Sequence, residues 1–345
     1  MTERKNKVLY INYMLQRGHI NFDKIHIKAL ENAGCDVWII IPSKLKVSFP
    51  SSSYKCLFTI PKWLSPQNAS PLLNRIAYIL TLIYIKIKIK IKETRYKHIF
   101  ISNFDEITLG LVPLNKQMYL YCHTTANNFD SKIKAFFIRK LAKNNHFIVF
   151  NHEMAEGFYK ENIEDVKIVS HGCIPPFPNT DTQMLKVEID YHRLIFIPSE
   201  RTSSFFLQTF LLNKDFIKFI ERNKILVVVR NFHGNLMSKY IQPINRYLSD
   251  NEYRSLFLAA DFILIAYPKE FGYRVSGISF ECVANKKNLL YLSNDSLTYC
   301  KSYYNYNPEF NNISELISKI DNFDYRNNKC MVNKNNLMPD YSWLT

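Results

Sequence analysis

The sequence lacks the short motifs that identify several large classes of enzyme. Only 8 glycines occur in 345 residues, and none belongs to the G-x-G-x-x-G turn of nicotinamide enzymes or the Walker loop of P-loop enzymes. The G-x-S-x-G elbow of hydrolases and the H-E-x-x-H motif of zinc peptidases are also missing. These four classes therefore have no support in the sequence.

Long apolar segments and targeting segments are lacking as well. The longest apolar run, residues 76–85, is interrupted by Thr81 and covers about half of the roughly 20 residues that a membrane-spanning helix needs. Residues 1–7 are polar and have none of the regions of a secretory signal. The 7 cysteines include no C-x-x-C pair and no disulfide-like spacing, which is typical of a reducing compartment. We therefore expect a cytoplasmic protein.

Acidic residues are scarce relative to basic ones, and the imbalance is uneven. The formal net charge is +15. Residues 1–180 contain 25 basic and 13 acidic side chains, whereas residues 181–345 contain 20 and 17. A basic first half indicates a polyanionic partner, while a solvated basic face is the other interpretation. Because no recognised nucleic-acid module is present, we expect this partner to be the anionic inner face of the cell membrane and not nucleic acid.

An alternation of strand and helix patterns begins near the N terminus. Residues 8–13 and 37–41 are predicted strands, and residues 22–33 are a predicted helix that stops at Gly34. Such a β–α–β unit predicts a parallel sheet. Further strands are predicted at residues 98–102, 118–122, 147–150 and 166–169, with a helix at 132–143.

A domain boundary is predicted between residues 173 and 182, where three prolines exclude a helix interior and a central strand. We expect a first domain at residues 1–178 and a second at 190–329, with a C-terminal tail, about 330–345, that can pack back on the first. Predicted elements of the second half are strands at 194–198, 225–230, 262–267 and 288–292, and helices at 205–222, 276–284 and from the capping box of Ser249 and Glu252 to Ala260.

The oddest local sequence is residues 84–92, where isoleucine and lysine alternate. The alternation places the isoleucines on one face of a strand, whereas in a helix both residue types spread around the axis. The preceding residues, 72–83, are typical of an apolar helix, which residues 84–92 could continue as an amphiphilic stretch at a membrane interface. Strand and helix both stay open at this point.

The residues that indicate a ligand follow the predicted strand at 262–267. A loop there leads into a helix whose first turn contains Ser276 and Gly277, where unpaired backbone N–H groups favour an anion and glycine permits close approach of a phosphate. Arg274 can add a charge-assisted contact to the same diphosphate. Glu281 lies about one turn further on, where its carboxylate can accept hydrogen bonds from ribose hydroxyls. An ordinary capped helix with a solvated carboxylate is the alternative.

This segment resembles the donor-binding region of retaining glycosyltransferases of family 4, in a form similar to that of surface polysaccharide enzymes. The resemblance implies an α/β protein with the GT-B fold, two Rossmann-like domains whose parallel sheets face each other across a cleft. In the family a glutamate on the short helix binds the nucleotide ribose, and Glu281 matches it. Eight residues earlier the family has an acidic residue where this chain has Tyr273. Glu270, three residues upstream, is the candidate to replace it at the sugar.

The resemblance assigns roles to other residues as well. Gly18 and His19 stand in the first loop, where the family approaches donor and acceptor. His123 matches a family histidine that faces the donor sugar, and Thr124 beside it follows the same strand, beyond whose end ligands bind in open parallel sheets. A histidine bonded within its own loop is the other interpretation of His123. Arg201 matches a diphosphate-binding position of the second domain, although the usual lysine is missing.

The expected function is transfer of a sugar, of the hexosyltransferase kind, from a nucleotide diphosphate sugar to a saccharide acceptor with retention. The basic first half indicates an acceptor on a membrane lipid. A sugar-nucleotide epimerase or hydrolase of the same fold, and a non-catalytic basic protein, are the alternatives. Metal-dependent glycosyltransferases of the other common fold use a D-x-D pair, which is absent here. We therefore expect neither a metal nor another cofactor.

Overall fold

The computed structural model of the chain describes residues 6–15, 19–65, 70–92, 96–115, 117–178, 189–234 and 237–344. The chain divides into two units, one formed by Met1–Gly172 with Leu337–Thr345 and the other by Cys173–Asn336. Each unit has its own parallel sheet and its own helices. In the predicted linker, residues 173–178 have no regular secondary structure, and residues 179–188 lie outside the described residues.

The first unit contains a sheet of seven described strands, all parallel, in the order β3-β2-β1-β4-β5-β6-β7. The strands predicted for this half are confirmed to within one residue at each end, and β3 is an additional strand at the edge. Most strand residues are buried, as expected for a parallel sheet that is covered on both faces. The strands are β1 (Lys7–Asn12), β2 (Asp36–Pro42), β3 (Lys55–Ile60), β4 (His98–Asn103), β5 (Tyr119–Tyr121), β6 (His146–Val149) and β7 (Val166–Ile168).

Helices connect these strands. The first helix ends before Gly34, whose φ of 82° is strained for a residue with a side chain. The helices are α1 (Ile20–Asn32), α2 (Pro71–Ile91), α3 (Glu106–Leu111), α4 (Lys132–Ala142) and α5 (His152–Tyr159), with shorter 3₁₀ helices at Ser43–Ser48, Lys62–Leu64 and Thr125–Asn128.

The alternating segment at residues 84–92 is helical, since α2 continues to Ile91. The Ser70 hydroxyl caps its first turn and a proline occupies the first helical position, which fixes where the helix begins. Helical geometry separates the alternating isoleucines, so Ile85 is buried whereas Ile87 and Ile91 are exposed. In the described part of the chain, neither α2 nor another helix is both long and apolar enough to cross a bilayer.

The second unit contains a sheet of six described strands, all parallel, in the order β10-β9-β8-β11-β12-β13. A large apolar core packs between this sheet and its helices. The strands are β8 (Arg193–Ile197), β9 (Ile225–Arg230), β10 (Ile241–Ile244), β11 (Phe262–Ile265), β12 (Asn288–Leu292) and β13 (Glu309–Phe310). The helices are α6 (Ser204–Thr209), α7 (Lys214–Arg222), α8 (Asp250–Ala259), α9 (Gly277–Ala284) and α10 (Ile313–Asp321), with a 3₁₀ helix at Asp295–Tyr303.

The prediction of a single helix at residues 205–222 is wrong, because the chain forms α6 and α7 there. The Asn213 side chain accepts the N–H groups of Asp215 and Phe216 at 2.9 and 3.1 Å and so caps a second helix. The capping box of Ser249 and Glu252 at the start of α8 is confirmed.

The C-terminal residues of the first unit are held to it by a buried tyrosine. The Tyr341 hydroxyl lies 2.5 Å from His26 Nδ1 and also hydrogen-bonds to the Tyr121 hydroxyl. The other ring nitrogen of His26 donates to the His171 carbonyl at 3.0 Å, so Nδ1 is the nitrogen that accepts from Tyr341. This chain of hydrogen bonds lets three polar side chains be buried without loss of their partners.

Candidate functional site

The carboxyl edge of the second sheet has a point where the strand order reverses. The chain passes from β8 to β9 on one side, and β11 lies on the other side of β8. The loops after β8 and β11 meet directly, because the Ser203 N–H donates to the Ala266 carbonyl at 2.7 Å. Open parallel sheets bind ligands at such a reversal. Arg201 lies in the first of these loops, and Arg274 lies in the second.

The start of α9 is open in front of Gly277. Ser276 is the N-cap residue, and its N–H and hydroxyl are bonded to the hydroxyls of Tyr299 and Tyr267, each at 2.8 Å. Gly277 is exposed, and a Cβ added to it would meet no described atom within 4 Å. A phosphate could therefore approach the backbone of Gly277 closely at the start of the helix, as an anion site requires.

Two arginines lie near each other beside this helix start. The Arg274 guanidinium stacks on the Phe271 ring, with its Cζ atom 3.6 Å from the ring centroid. Its Nε atom is buried and has no hydrogen-bond partner among the described residues. Burial lowers the pKa of Arg274, and the positive charge of Arg201 lowers it further. An anion bound between the two guanidinium groups would relieve their repulsion.

Glu281, on the second turn of α9, has one carboxylate oxygen committed and one available. The Tyr253 hydroxyl donates to its Oε2 atom at 2.6 Å. Its Oε1 atom has no partner within the described ranges of the chain. Burial raises the pKa of Glu281 to about 7, although the hydrogen bond from Tyr253 and the charge of Arg254 oppose the rise. The carboxylate can therefore change its charge near neutral pH.

Tyr267 connects the parts of this site. Burial raises the pKa of Tyr267 to about 12; the hydrogen bond to Ser276 and the charge of Arg274 lower it, and the charge of Glu281 raises it. The Tyr267 hydroxyl therefore interacts with Arg274, Ser276 and Glu281. The structure brings together these three residues, which the sequence proposed for donor binding.

Glu270 and Tyr273 lie in the loop between β11 and α9. Glu270 is exposed in a turn, and no described residue forms an ion pair or hydrogen bond with its carboxylate. Tyr273 is partly buried in the same loop. Nothing described holds Glu270 in position, so its role at the sugar stays a prediction.

A pocket of about 280 Å³ adjoins this edge of the sheet beyond β9 and β10. Glu200, Arg230, Asn231 and Tyr247 are among the residues that line it. Arg230 pairs with Glu200 and donates to the Pro198 carbonyl at 3.2 Å, but its Nε atom is buried without a described partner. Further polar groups are thus available along the same edge.

Histidines gather at the carboxyl edge of the first sheet, close to its own reversal between β1 and β4. The rings of His19 and His123 lie 4.3 Å apart. His123 Nε2 donates to the Ser102 carbonyl at 3.0 Å, so its Nδ1 atom carries the lone pair. Burial, followed by the charge of His19, holds the pKa of His123 well below its usual range. His123 is therefore neutral at physiological pH and can accept a hydrogen bond.

His19, Thr124 and Gly18 are the other candidate residues of the first unit. Burial lowers the pKa of His19 to about 4, and its Nδ1 atom is buried with no described partner. Thr124 is exposed, and its carbonyl accepts the N–H of Asn127 at 3.1 Å. Gly18 lies outside the described residues. No group of three or more His, Cys, Asp or Glu side chains in the described ranges is arranged to hold a metal ion.

Some residues of the second-unit cluster had no signal in the sequence. Tyr253 and Tyr299 reach Glu281 and Ser276 from segments 28 and 23 residues away. Phe271 is three residues from Arg274, but no local pattern predicts that their side chains stack. Such partners become visible only when the sheet and its helices are assembled.

Solved structures similar in fold cover almost the whole chain. The N-terminal domain of trehalose-6-phosphate phosphatase from Candida albicans has a TM-score of 0.60 at 10% identity and covers 98% of this chain and 92% of its own. Anabaena Alr3699/HepE in complex with UDP and glucose has a TM-score of 0.55 at 9% identity, with 85% and 82% covered. The glycotransferase of kitacinnamycin has a TM-score of 0.50 at 8% identity, with 94% and 92% covered.

The predicted α/β class with two Rossmann-like domains is confirmed. The chain is an α/β protein with two Rossmann-like domains and has the GT-B fold. Identities of this size show a shared fold and do not transfer an activity. No protein-family model and no curated protein sequence matches the chain.

Proposed function

We propose that this chain is a glycosyltransferase that takes its sugar from a nucleoside diphosphate sugar. The observation that carries the proposal is the convergence of Arg274, Gly277 and Glu281 around the start of α9. The guanidinium of Arg274, whose buried Nε has no described partner, and the open helix start at Gly277 suit a diphosphate. The available carboxylate oxygen of Glu281 suits a ribose hydroxyl. A similar structure, that of HepE, holds UDP and glucose on the same fold.

In this proposal the second unit stabilises the leaving group. The diphosphate carries two negative charges in the sugar nucleotide and gains a third as its bond to the sugar breaks, and Arg201, Arg274 and the Gly277 N–H would bind that charge as it develops. Such preorganised donors are worth about 2.7–4 kcal/mol each in other enzymes. These cationic groups would take the place of a metal, so activity should survive a chelator. The leaving phosphate takes the acceptor's proton with retention, as the resemblance to family 4 implies.

The first unit would orient the transferred sugar through His123 and bind the acceptor. His123 offers a neutral Nδ1 lone pair to a sugar hydroxyl, and His19 lies in ring contact with it. Glu270 would bind a hydroxyl of the donor sugar, a role that we assign because of its position in the sequence. The acceptor we propose is a saccharide on a membrane lipid in surface polysaccharide synthesis, supported by the basic first half of the chain.

The proposal is tested first by thermal shift with UDP, GDP, dTDP, ADP and CDP, with inorganic phosphate as the control. At least one nucleoside diphosphate should stabilise the parent protein, because a ligand that binds only the folded state raises its melting temperature. Glu281→Ala should lose most of that shift. If none of the five shifts the parent, or if the Ala variant responds like the parent, the nucleotide assignment is wrong.

The reaction is tested separately with the sugar derivatives of the nucleotide that binds. Transfer should require an added saccharide acceptor, and NMR of the product should show the anomeric configuration of the donor. Formation of free sugar or of an epimer without any acceptor would instead assign hydrolysis or epimerisation to the same site.

A further inference from the structure

One face of α2 exposes a continuous apolar stripe. Leu72, Leu73, Ile76, Leu80, Ile83, Ile87 and Ile91 are between 41% and 69% exposed. Apart from Leu73, their spacing is four residues or three, so at 100° per residue all seven fall within an arc of about 100°. The stripe follows the 21-residue helix for about 28 Å at 1.5 Å per residue. The buried residues Thr81, Leu82 and Ile85 lie on the opposite side.

The lysines of the alternating segment flank this stripe. On a helical projection Lys86 and Lys90 lie on one side of Ile83, Ile87 and Ile91, and Lys88 lies on the other. Residues 71–92 contain no aspartate or glutamate. The helix therefore combines an apolar stripe with positive borders, and its lysine stems can extend alongside the stripe.

The neighbouring helices also carry exposed apolar side chains. α3 packs against both α2 and α4. The Lys86 Nζ atom donates to the Pro113 carbonyl at 3.0 Å, which joins the end of α2 to the segment after α3. Leu111 on α3 is exposed, as are Ile133 and Phe136 on α4.

The charges of this neighbouring surface are also mostly basic. α4 is Lys132–Ala142, and it contains four basic residues and no acidic one. At α3, the carboxylate of Asp105 is paired with Arg75 at 3.4 Å, and Glu106 is buried. Exposed acidic groups that would repel an anionic surface are therefore missing from α2 and α4.

We propose that this surface, made of α2, the end of α3 and α4, rests on an anionic lipid bilayer with α2 in the plane of the interface. An exposed apolar stripe of this length needs a partner. A bilayer interface accepts apolar side chains and attracts lysines, whereas a protein partner would have to supply acidic groups along both borders. The proposal goes beyond the catalytic function and does not depend on it.

The test is flotation of the full-length protein with vesicles of phosphatidylcholine alone or with about one third phosphatidylglycerol. The parent should float only with the anionic vesicles, and raising the salt should release it. Leu80→Gln, Ile83→Gln and Ile87→Gln together should weaken binding on the order of 100-fold, and glutamine keeps the helix propensity. Lys88→Gln with Lys90→Gln should weaken it roughly 30-fold.

Matched controls distinguish the effect of substitutions on this surface from a general effect of losing apolar area or charge. Val47→Gln with Met331→Gln removes exposed apolar side chains elsewhere, and Lys214→Gln with Lys218→Gln removes two exposed charges from α7. Both control pairs should float like the parent. All variants should keep the parent's melting temperature and any nucleotide-induced shift, which keeps this test independent of the nucleotide site.

Several outcomes would overturn the proposal. These are failure of the parent to float with anionic vesicles at low salt, equal binding to phosphatidylcholine alone, or unchanged flotation of the α2 variants. A parent that is a dimer, becomes monomeric with the three glutamines and never floats would make this surface a protein interface.

Discussion

Replacing Glu281 with glutamine should weaken nucleoside diphosphate binding, and the loss should depend on the ribose hydroxyls. In the unliganded protein, Oε2 accepts from Tyr253 at 2.6 Å and Oε1 is available. If the glutamine oxygen keeps the bond to Tyr253, an amide N–H₂ replaces Oε1, so a hydroxyl loses a charged acceptor. A hydrogen bond to a charged group is worth about 1.5–3 kcal/mol, which corresponds to a roughly 10- to 150-fold rise in Kd.

Isothermal titration of parent and variant, each with the nucleoside diphosphate and its 2′,3′-dideoxy analogue, measures this coupling as a double-mutant cycle. The analogue should bind parent and variant with nearly equal affinity. An equal loss for both ligands would place Glu281 away from the ribose, and no loss for either would remove it from the site.

Four further outcomes are expected. Because burial raises the pKa of Glu281 to about 7, ribonucleotide binding should strengthen roughly tenfold from pH 6 to pH 8 in the parent and less in Glu281→Gln; parallel pH profiles would contradict this. The same raised pKa stabilises the folded protein at low pH, and this contribution is lost as pH rises through 7. Glu281→Gln should therefore melt like the parent near pH 5 and above it near pH 8, as differential scanning fluorimetry would show. Arg201→Met with Arg274→Met should weaken the diphosphate at least 30-fold while nucleoside affinity is unchanged, and equal losses for both ligands by titration would refute the charge argument. His123→Ala should slow transfer on the order of 100-fold at unchanged nucleotide affinity, and a parallel loss of nucleotide affinity would contradict a role confined to the transferred sugar.

The sequence predicts the central strands of both sheets well because they are buried on both faces. Their continuous apolar runs, such as residues 225–229 in β9, are bounded by turn or polar residues and need no tertiary information. Edge strands are harder to predict. β3 is partly exposed, and β10 contains Pro243, which is tolerated at the sheet edge where its missing N–H breaks no ladder.

Two helical segments show what a local pattern leaves open. In residues 84–92 the alternation suits a strand by itself, but α2 is already nucleated from Ser70 and continues through it. In residues 205–222 the apolar spacing suggests one helix, while the Asn213 cap divides it. That cap is a readable signal, since asparagine followed by Asp215 in the first turn is typical of a helix start.

In the candidate nucleotide site, the proximity of the residues was predictable where they are close in sequence. Arg274, Gly277 and Glu281 share one loop and one helix, so helical geometry brings them together. The tyrosines that position them, Tyr253 and Tyr299, come from other elements and carry no local signature. The buried Nε of Arg274 is likewise a property of packing, which sequence spacing does not encode.

The measurement that tests the central claim most directly is a crystal structure of the protein with the nucleoside diphosphate that stabilises it most. The diphosphate should lie at the start of α9, with oxygens within hydrogen-bonding distance of the Gly277 N–H and the Arg274 guanidinium. The ribose hydroxyls should lie on Glu281. A nucleotide bound away from α9, or a ribose with no contact to Glu281, would contradict the account.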